Sequence, residues 1–169
     1  IASTSEMLKI ALKNKLPYIC IVPEKRKEIT TEGGLNLNYK RKFLRLLIQK
    51  LKKNGSRVSL FIEPNLDDIM TANDLGATCI ELHTGKLCRL INKRKNYQTE
   101  LKKIKRAIIL GNQTGLEVHV GHGITYKSAK ILSKLKGIKE FNVGHFLIAE
   151  SIFFGLENCI KKLKKILKK

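Results

Sequence analysis

Apolar runs rich in β-branched residues recur along the chain as Y-I-C-I-V (18–22), V-S-L-F-I (58–62), C-I-E-L-H (79–83), L-E-V-H-V (116–120) and E-F-N-V (140–143). Each is short enough for a strand. Between them the apolar residues return every three or four positions, as an amphipathic helix requires. Residues 5–13 carry Met7, Leu8 and Leu12; residues 39–53 carry Phe43, Leu44, Leu47, Ile48 and Leu51. Residues 66–75 are opened by Pro64-Asn65 and closed by Gly76. Residues 97–110 carry Leu101, Ile104 and Ile108 and stop at Gly111; residues 127–135 carry Ile131, Leu132 and Leu135 before Gly137. Glycine stops of this kind end helices.

Strand and helix thus alternate five times, which predicts βα units on a parallel sheet. Near-continuous apolar strands predict cover on both faces. Two α/β architectures fit: an open doubly wound sheet, or part of a (β/α)₈ TIM barrel. Five units in 169 residues extrapolate to about 250 for eight, the usual barrel size. The chain opens at Ile1 with a helix and no strand before it, which favours a barrel lacking its first two to three strands. Residues 1–169 read as a single domain. The tail 156–169 places Leu156, Ile160, Leu163 and Leu167 on one face and lysines elsewhere. A last helix packed on the sheet explains it better than a membrane-surface helix.

Charge changes this picture moderately. Lys and Arg number 34 against 14 acids, a formal net charge of +20. The lysines recur on nearly every helix rather than in one block, and aromatics are only 6%. There is no zinc-finger spacing and no RNP-type motif. These features predict solvated helix faces and an affinity for small phosphorylated molecules, not specific nucleic-acid binding. No apolar run approaches 18 residues and no signal peptide is visible, so a cytoplasmic protein without membrane contact is expected. The four cysteines (Cys20, Cys79, Cys88, Cys159) form no C-x-x-C pair, which argues against a disulfide framework or a structural zinc.

Parallel α/β sheets place their chemistry at the C-terminal ends of strands. There the chain writes V-G-H twice, at 120–122 and 143–145. A glycine lets the backbone approach a ligand, and a following helix directs its positive end to the same place. Gly121-His122-Gly123 and Gly144-His145 therefore read as a paired phosphate and acid/base site, with histidine exchanging protons near neutral pH. His83 also falls at a strand end, whereas His119 lies inside a strand and reads as structural. Glu81 is the acid inside an apolar strand; it works in proton transfer or it pairs with a buried cation. Residues 24–38 form a long polar connection after the first strand, with Gly33-Gly34 as hinges and Thr30 and Thr31 as hydrogen-bonding groups. No lysine sits cleanly inside a strand, which disfavours a Schiff-base aldolase. An isomerase-type phosphate-binding barrel and an inactive basic remnant with non-specific nucleic-acid contact remain as alternatives.

The segments V-P-E-K-R-K-E-I-T-T-E-G-G-L, V-S-L-F-I-E, I-E-L-H-T-G, V-G-H-G-I-T-Y and F-N-V-G-H, in this order, resemble the pyridoxine 5′-phosphate synthase family of the deoxyxylulose-dependent vitamin B6 pathway. The resemblance implies a (β/α)₈ barrel, a homo-octamer and no metal or organic cofactor. It implies condensation of 3-amino-2-oxopropyl phosphate with 1-deoxy-D-xylulose 5-phosphate to pyridoxine 5′-phosphate, phosphate and water. On the family pattern His122 is the proton donor and Glu81 joins the proton relay. Thr30, Gly123, Gly144 and His145 bind substrate. Two further catalytic groups of the family, a histidine at the second strand and a glutamate at the third, have no counterpart here. Nor do its N-terminal N-x-D-H motif and an arginine for phosphate, and His119 replaces a smaller polar residue. The resemblance thus maps the chain onto barrel units four to eight, led by the third helix and ended by the C-terminal helix. The 169 residues alone are then expected to be inactive and prone to associate through open sheet edges.

Overall fold

The computed structural model describes residues 1–23 and 33–168. Thr30 and Thr31 lie outside the described residues. The elements run α1 (Ser5–Asn14), β1 (Tyr18–Ile21), α2 (Arg41–Lys53), β2 (Arg57–Ile62), α3 (Leu66–Leu75), β3 (Cys79–His83), α4 (Gly85–Asn92), α5 (Gln98–Gln113), β4 (Glu117–Gly121), α6 (Tyr126–Leu132), β5 (Ile138–Asn142), α7 (His145–Phe154) and α8 (Leu156–Leu167). All strand pairs are parallel and the spatial order is β1-β2-β3-β4-β5. A doubly wound sheet reverses direction at a switch point. This sheet never reverses, so the chain forms an arc of a barrel.

As the sequence reading expected, a helix is the first element, and the residues before it make one isolated bridge. Ala2 bridges Val22 in parallel, and the Val22 N–H donates to the Ile1 carbonyl at 2.9 Å. A short run of chain therefore lies along the outer edge of β1. Thr4 then caps α1 by accepting from the Met7 N–H, which satisfies one of the orphan donors of a helix start.

The strands are not apolar on both faces. Ile19 and Ile21, Val58, Leu60 and Ile62, Ile80 and Leu82, and Val118 and Val120 join the helices in one buried core. The alternate positions form the other face in registered rows. Cys20, Ser59, Cys79 and Glu117 make one row; Phe61, Glu81, His119 and Glu140 make the next. Runs such as V-S-L-F-I look continuous because serine, cysteine and phenylalanine hide the period of two. The inner face is polar and concave, with a cleft of about 370 Å³.

One helix runs past its predicted end, and two were not predicted. α5 continues through Gly111 to Gln113, because Gly111 serves close packing rather than a stop. A β-carbon there would stand 2.7 Å from Val118 Cγ2. The sequence reading placed no helix at α4 or α7: α4 is only eight residues, and α7 is apolar all round and buries none of its residues. Ile152 and Phe153 on α7 are 78% and 79% exposed.

Candidate active site at the strand ends

β3 ends at His83 and leads into Thr84 and Gly85, and β4 ends at Gly121 and leads into His122 and Gly123. The register sets them side by side, with His83 opposite Gly121. Thr84 is fully buried, and its hydroxyl lies 2.8 Å from the Gly121 carbonyl and 2.9 Å from the His122 carbonyl. The backbone beneath is bent: His122 has φ 73° and Gly123 φ 74°. Positive φ is uncommon for a residue with a side chain, and such strain persists only where neighbours over-determine it. Thr84 supplies that restraint, which leaves α4 without a side-chain cap at this residue. H-T-G is thus the clamp that holds G-H-G.

The glycines on either side of His122 answer two different needs. Gly121 has no positive φ, but a β-carbon on it would overlap Glu81 Oε1. Gly123 needs its φ, and it also passes within 3.3 Å of the Gly85 α-carbon at the position of a β-carbon.

Both V-G-H copies meet. His122, Gly123, Gly144 and His145 line one cleft of about 490 Å³. His145 is the first residue of α7, and Gly144 precedes it as an N-cap without a side chain to satisfy the first amides. Unsatisfied amides and the helix dipole together favour an anion at such a place. A larger cleft of about 680 Å³ opens where Thr4, Gly34 and Tyr39 meet; of the predicted residues it holds Gly34 and neither His122 nor His145.

Glu81 stands on the inner face, not in this cleft. Its Oε2 accepts from Asn142 Nδ2 at 2.7 Å and lies 3.7 Å from the Cys20 thiol. Among the described residues no ion pair of Glu81 is present, and His119 is the cationic group that bears on it. Burial holds its carboxyl above the usual carboxylate range, opposed by the Asn142 hydrogen bond. The neighbouring Cys20 thiol is pushed up to about 12, first by burial and then by Glu81. Folded Glu81 therefore holds its proton more tightly than the unfolded chain does. Its contribution to stability is complete below about pH 4 and is lost as pH rises through the folded-state value. Glu81→Gln removes that titration. The Tm difference between Glu81→Gln and the parent is expected to be small near pH 4 and to grow in favour of Gln toward pH 8. A difference independent of pH would mean that the buried carboxylate ionises at no cost.

His119, which the sequence reading took as structural, lies on the inner face beside Glu81. It is 6% exposed and its Nε2 lies 2.9 Å from Glu117 Oε1. Cys79, Glu117 and His119 bring three possible metal-ligand atoms within 4.8 Å. Arg57 already fills the cation position there, 2.7 Å from Glu117 and 3.1 Å from Cys79 Sγ. Glu117 lies below the usual carboxylate range through its hydrogen bonds from His119 and Arg57. This cluster ties the N-terminal ends of three strands.

One pair escaped the sequence reading. His83 Nδ1 lies 2.9 Å from Glu63 Oε1, and the Gly34 N–H donates to the same oxygen at 2.9 Å. Both residues stand at strand ends. Their pairing was legible from register alone, since Ile62 lies beside Leu82 and the next residues of the two strands are Glu63 and His83.

Comparison with known proteins agrees with this geometry. The family described as Pyridoxal phosphate biosynthesis protein PdxJ matches residues 1–169. This chain belongs to the PdxJ family. It is 53% identical over 169 residues to the pyridoxine 5′-phosphate synthase of Pelagibacter ubique, covering all of this chain and 71% of that protein. It is 41% identical over 165 residues to the pyridoxine 5′-phosphate synthase of Syntrophotalea carbinolica, covering 98% of this chain and 69% of that protein. Among solved structures, a xylose isomerase domain protein from Planctomyces limnophilus superposes with a TM-score of 0.55 at 12% identity, over 96% of this chain and 66% of that one. At that identity the likeness shows the fold alone. No helix among the described residues is long and apolar enough to cross a membrane.

Proposed function

We propose that this PdxJ-family chain forms barrel units four to eight of a pyridoxine 5′-phosphate synthase. In this reading it joins 3-amino-2-oxopropyl phosphate to 1-deoxy-D-xylulose 5-phosphate and releases pyridoxine 5′-phosphate, phosphate and water. The observation that carries the reading is the single cleft that joins His122 to Gly144-His145. A phosphate seated on the uncapped start of α7 would set the rest of the substrate beside the His122 ring. His122 then gives its ring proton to an oxygen leaving as water, a transfer for which imidazole is suited near neutral pH. Gly123 offers backbone to the substrate and Thr30 a hydroxyl. Glu81, whose carboxyl burial holds above the usual carboxylate range, serves in proton transfer on the inner face. No metal or organic cofactor takes part, and the net charge of +20 draws two phosphorylated substrates toward the site. Homo-octamer assembly in the cytoplasm belongs to the same reading; the exposed apolar surface of α7 supports association.

The experiment supplies the rest of a barrel. The segment of the Pelagibacter ubique synthase that this chain does not match is fused ahead of Ile1. Both substrates are added, and the fluorescence of pyridoxine 5′-phosphate is followed. The fusion is expected to make product and the 169 residues alone to make none. A folded, soluble fusion that forms no product overturns the assignment, and turnover by the 169 residues alone overturns the assignment to half-barrel status.

A further inference from the structure

His83 is 7% exposed, and its ring is held on three sides. Phe61 meets it edge-on at 5.3 Å between centroids, and the His122 ring tilts against it at 4.7 Å and 54°. Glu63 holds the third side through Nδ1. Glu63 lies below the usual carboxylate range, chiefly because of that hydrogen bond from His83. An ionised carboxylate only accepts, so the proton between the two groups sits on His83 Nδ1. In the neutral ring the other nitrogen then carries a bare lone pair. That nitrogen, Nε2, is buried and meets no hydrogen-bond partner among the described residues. A buried polar atom without a partner is costly and calls for an explanation.

Its location supplies one. The point where a β-carbon would stand on Gly85 is 2.7 Å from His83 Nε2 and also 2.7 Å from His122 Cδ2. The lone pair and the edge of the His122 ring therefore share the small space that Gly85 leaves open. A lone pair backed by a carboxylate attracts the ring carbons and nitrogens of an imidazolium more than those of a neutral imidazole. We propose that Glu63 and His83 are positioning residues for His122: Glu63 fixes the His83 tautomer, and His83 orients the His122 ring and favours its protonated form. This inference rests on the reading of His122 as proton donor.

Other charged groups bear on this row. Lys103 lowers the Glu63 carboxyl further, and Glu63 in turn helps to raise that of Asp68. From the β5 side His145 shares the cleft with His122, and Glu81 lies against Gly121. Cys88 lies beneath Gly123. None of these groups except His83 is in ring contact with His122 among the ring pairs of the described residues.

The test follows the His122 ring by NMR titration of the 169-residue protein, so it does not require turnover. Glu63→Gln keeps an acceptor for the His83 and Gly34 N–H groups but removes the charge. His83→Phe keeps a ring against Phe61 and His122 but removes the lone pair. Each variant is expected to lower the His122 pKa by about half a unit or more. An unchanged His122 titration in a folded variant overturns the proposal. The parent protein offers an independent check through its histidine ring ¹⁵N signals. The Nδ1–H tautomer of His83 is expected, and an Nε2–H tautomer overturns the proposal even if both variants fail to fold. In the barrel-completing fusion, the same variants are expected to lower kcat with little change in KM and to move the alkaline limb of the pH profile to lower pH. Loss of product by the parent fusion would instead refute the synthase reading, with the titration result still standing by itself.

Discussion

The fusion carrying His122→Ala is expected to form pyridoxine 5′-phosphate about 10²–10⁴-fold more slowly than its parent, the usual contribution of a positioned proton donor. Alanine alone is an imperfect probe, because position 122 has φ 73°. Histidine tolerates positive φ better than alanine does, and asparagine better still. His122→Ala therefore loses backbone compatibility together with the imidazole. His122→Asn keeps the backbone and loses only the titrating ring. Both variants are expected to lose turnover, while only the alanine variant also loses thermal stability. Full activity in His122→Asn would remove the ring from the mechanism. Loss that follows Tm across the two variants would make His122 a backbone hinge instead.

The first four strands were legible because each sends two or three aliphatic side chains into the helix-facing core, and β-branched residues dominate there. Leu60 and Ile62 or Val118 and Val120 give that signal without any knowledge of neighbours. The polar inner face was not legible. Its residues are Ser59, Cys79 and Phe61, which fit a buried strand equally well until register sets them in rows. α4 was missed because it starts with a glycine directly after β3, where a loop is the simpler reading. α7 was missed because an all-round apolar helix has no polar face to mark the period. At the site, the meeting of His122 with Gly144-His145 followed from one rule about strand ends. The grip of Thr84 on two carbonyls, and of Glu63 on His83, depends on distances between strands that no local pattern encodes. Glu81 shows the limit from the other side. Its burial was legible, but its partners Asn142 and Cys20 are each 61 residues away in sequence.

Gly121→Ala is expected to destabilise the protein by about 2 kcal/mol or more, the range of overpacking in a closed site, which is a fall in Tm of about 4–8 °C. The reasoning isolates one cause. Gly121 has no positive φ, so alanine meets no backbone penalty there. The new methyl overlaps Glu81 Oε1 and comes within 3.2 Å of Asn142 Cβ. Glu81 cannot simply swing aside, because its other oxygen is held by Asn142 and its surroundings are buried. Shortening Glu81 should then relieve most of the strain. In the double variant Gly121→Ala/Glu81→Ala, the loss of stability is expected to be smaller than the two single losses together, because the methyl fills space that the carboxylate vacates. Turnover by the fusion separates packing from chemistry. If Glu81 belongs to the proton relay, the double variant regains its Tm but not its rate. If activity returns together with stability, Glu81 is only a packing partner of Gly121, and the relay runs through His122 without it. Strict additivity of the two losses would show that the glycine is required for some reason other than the carboxylate that lies against it.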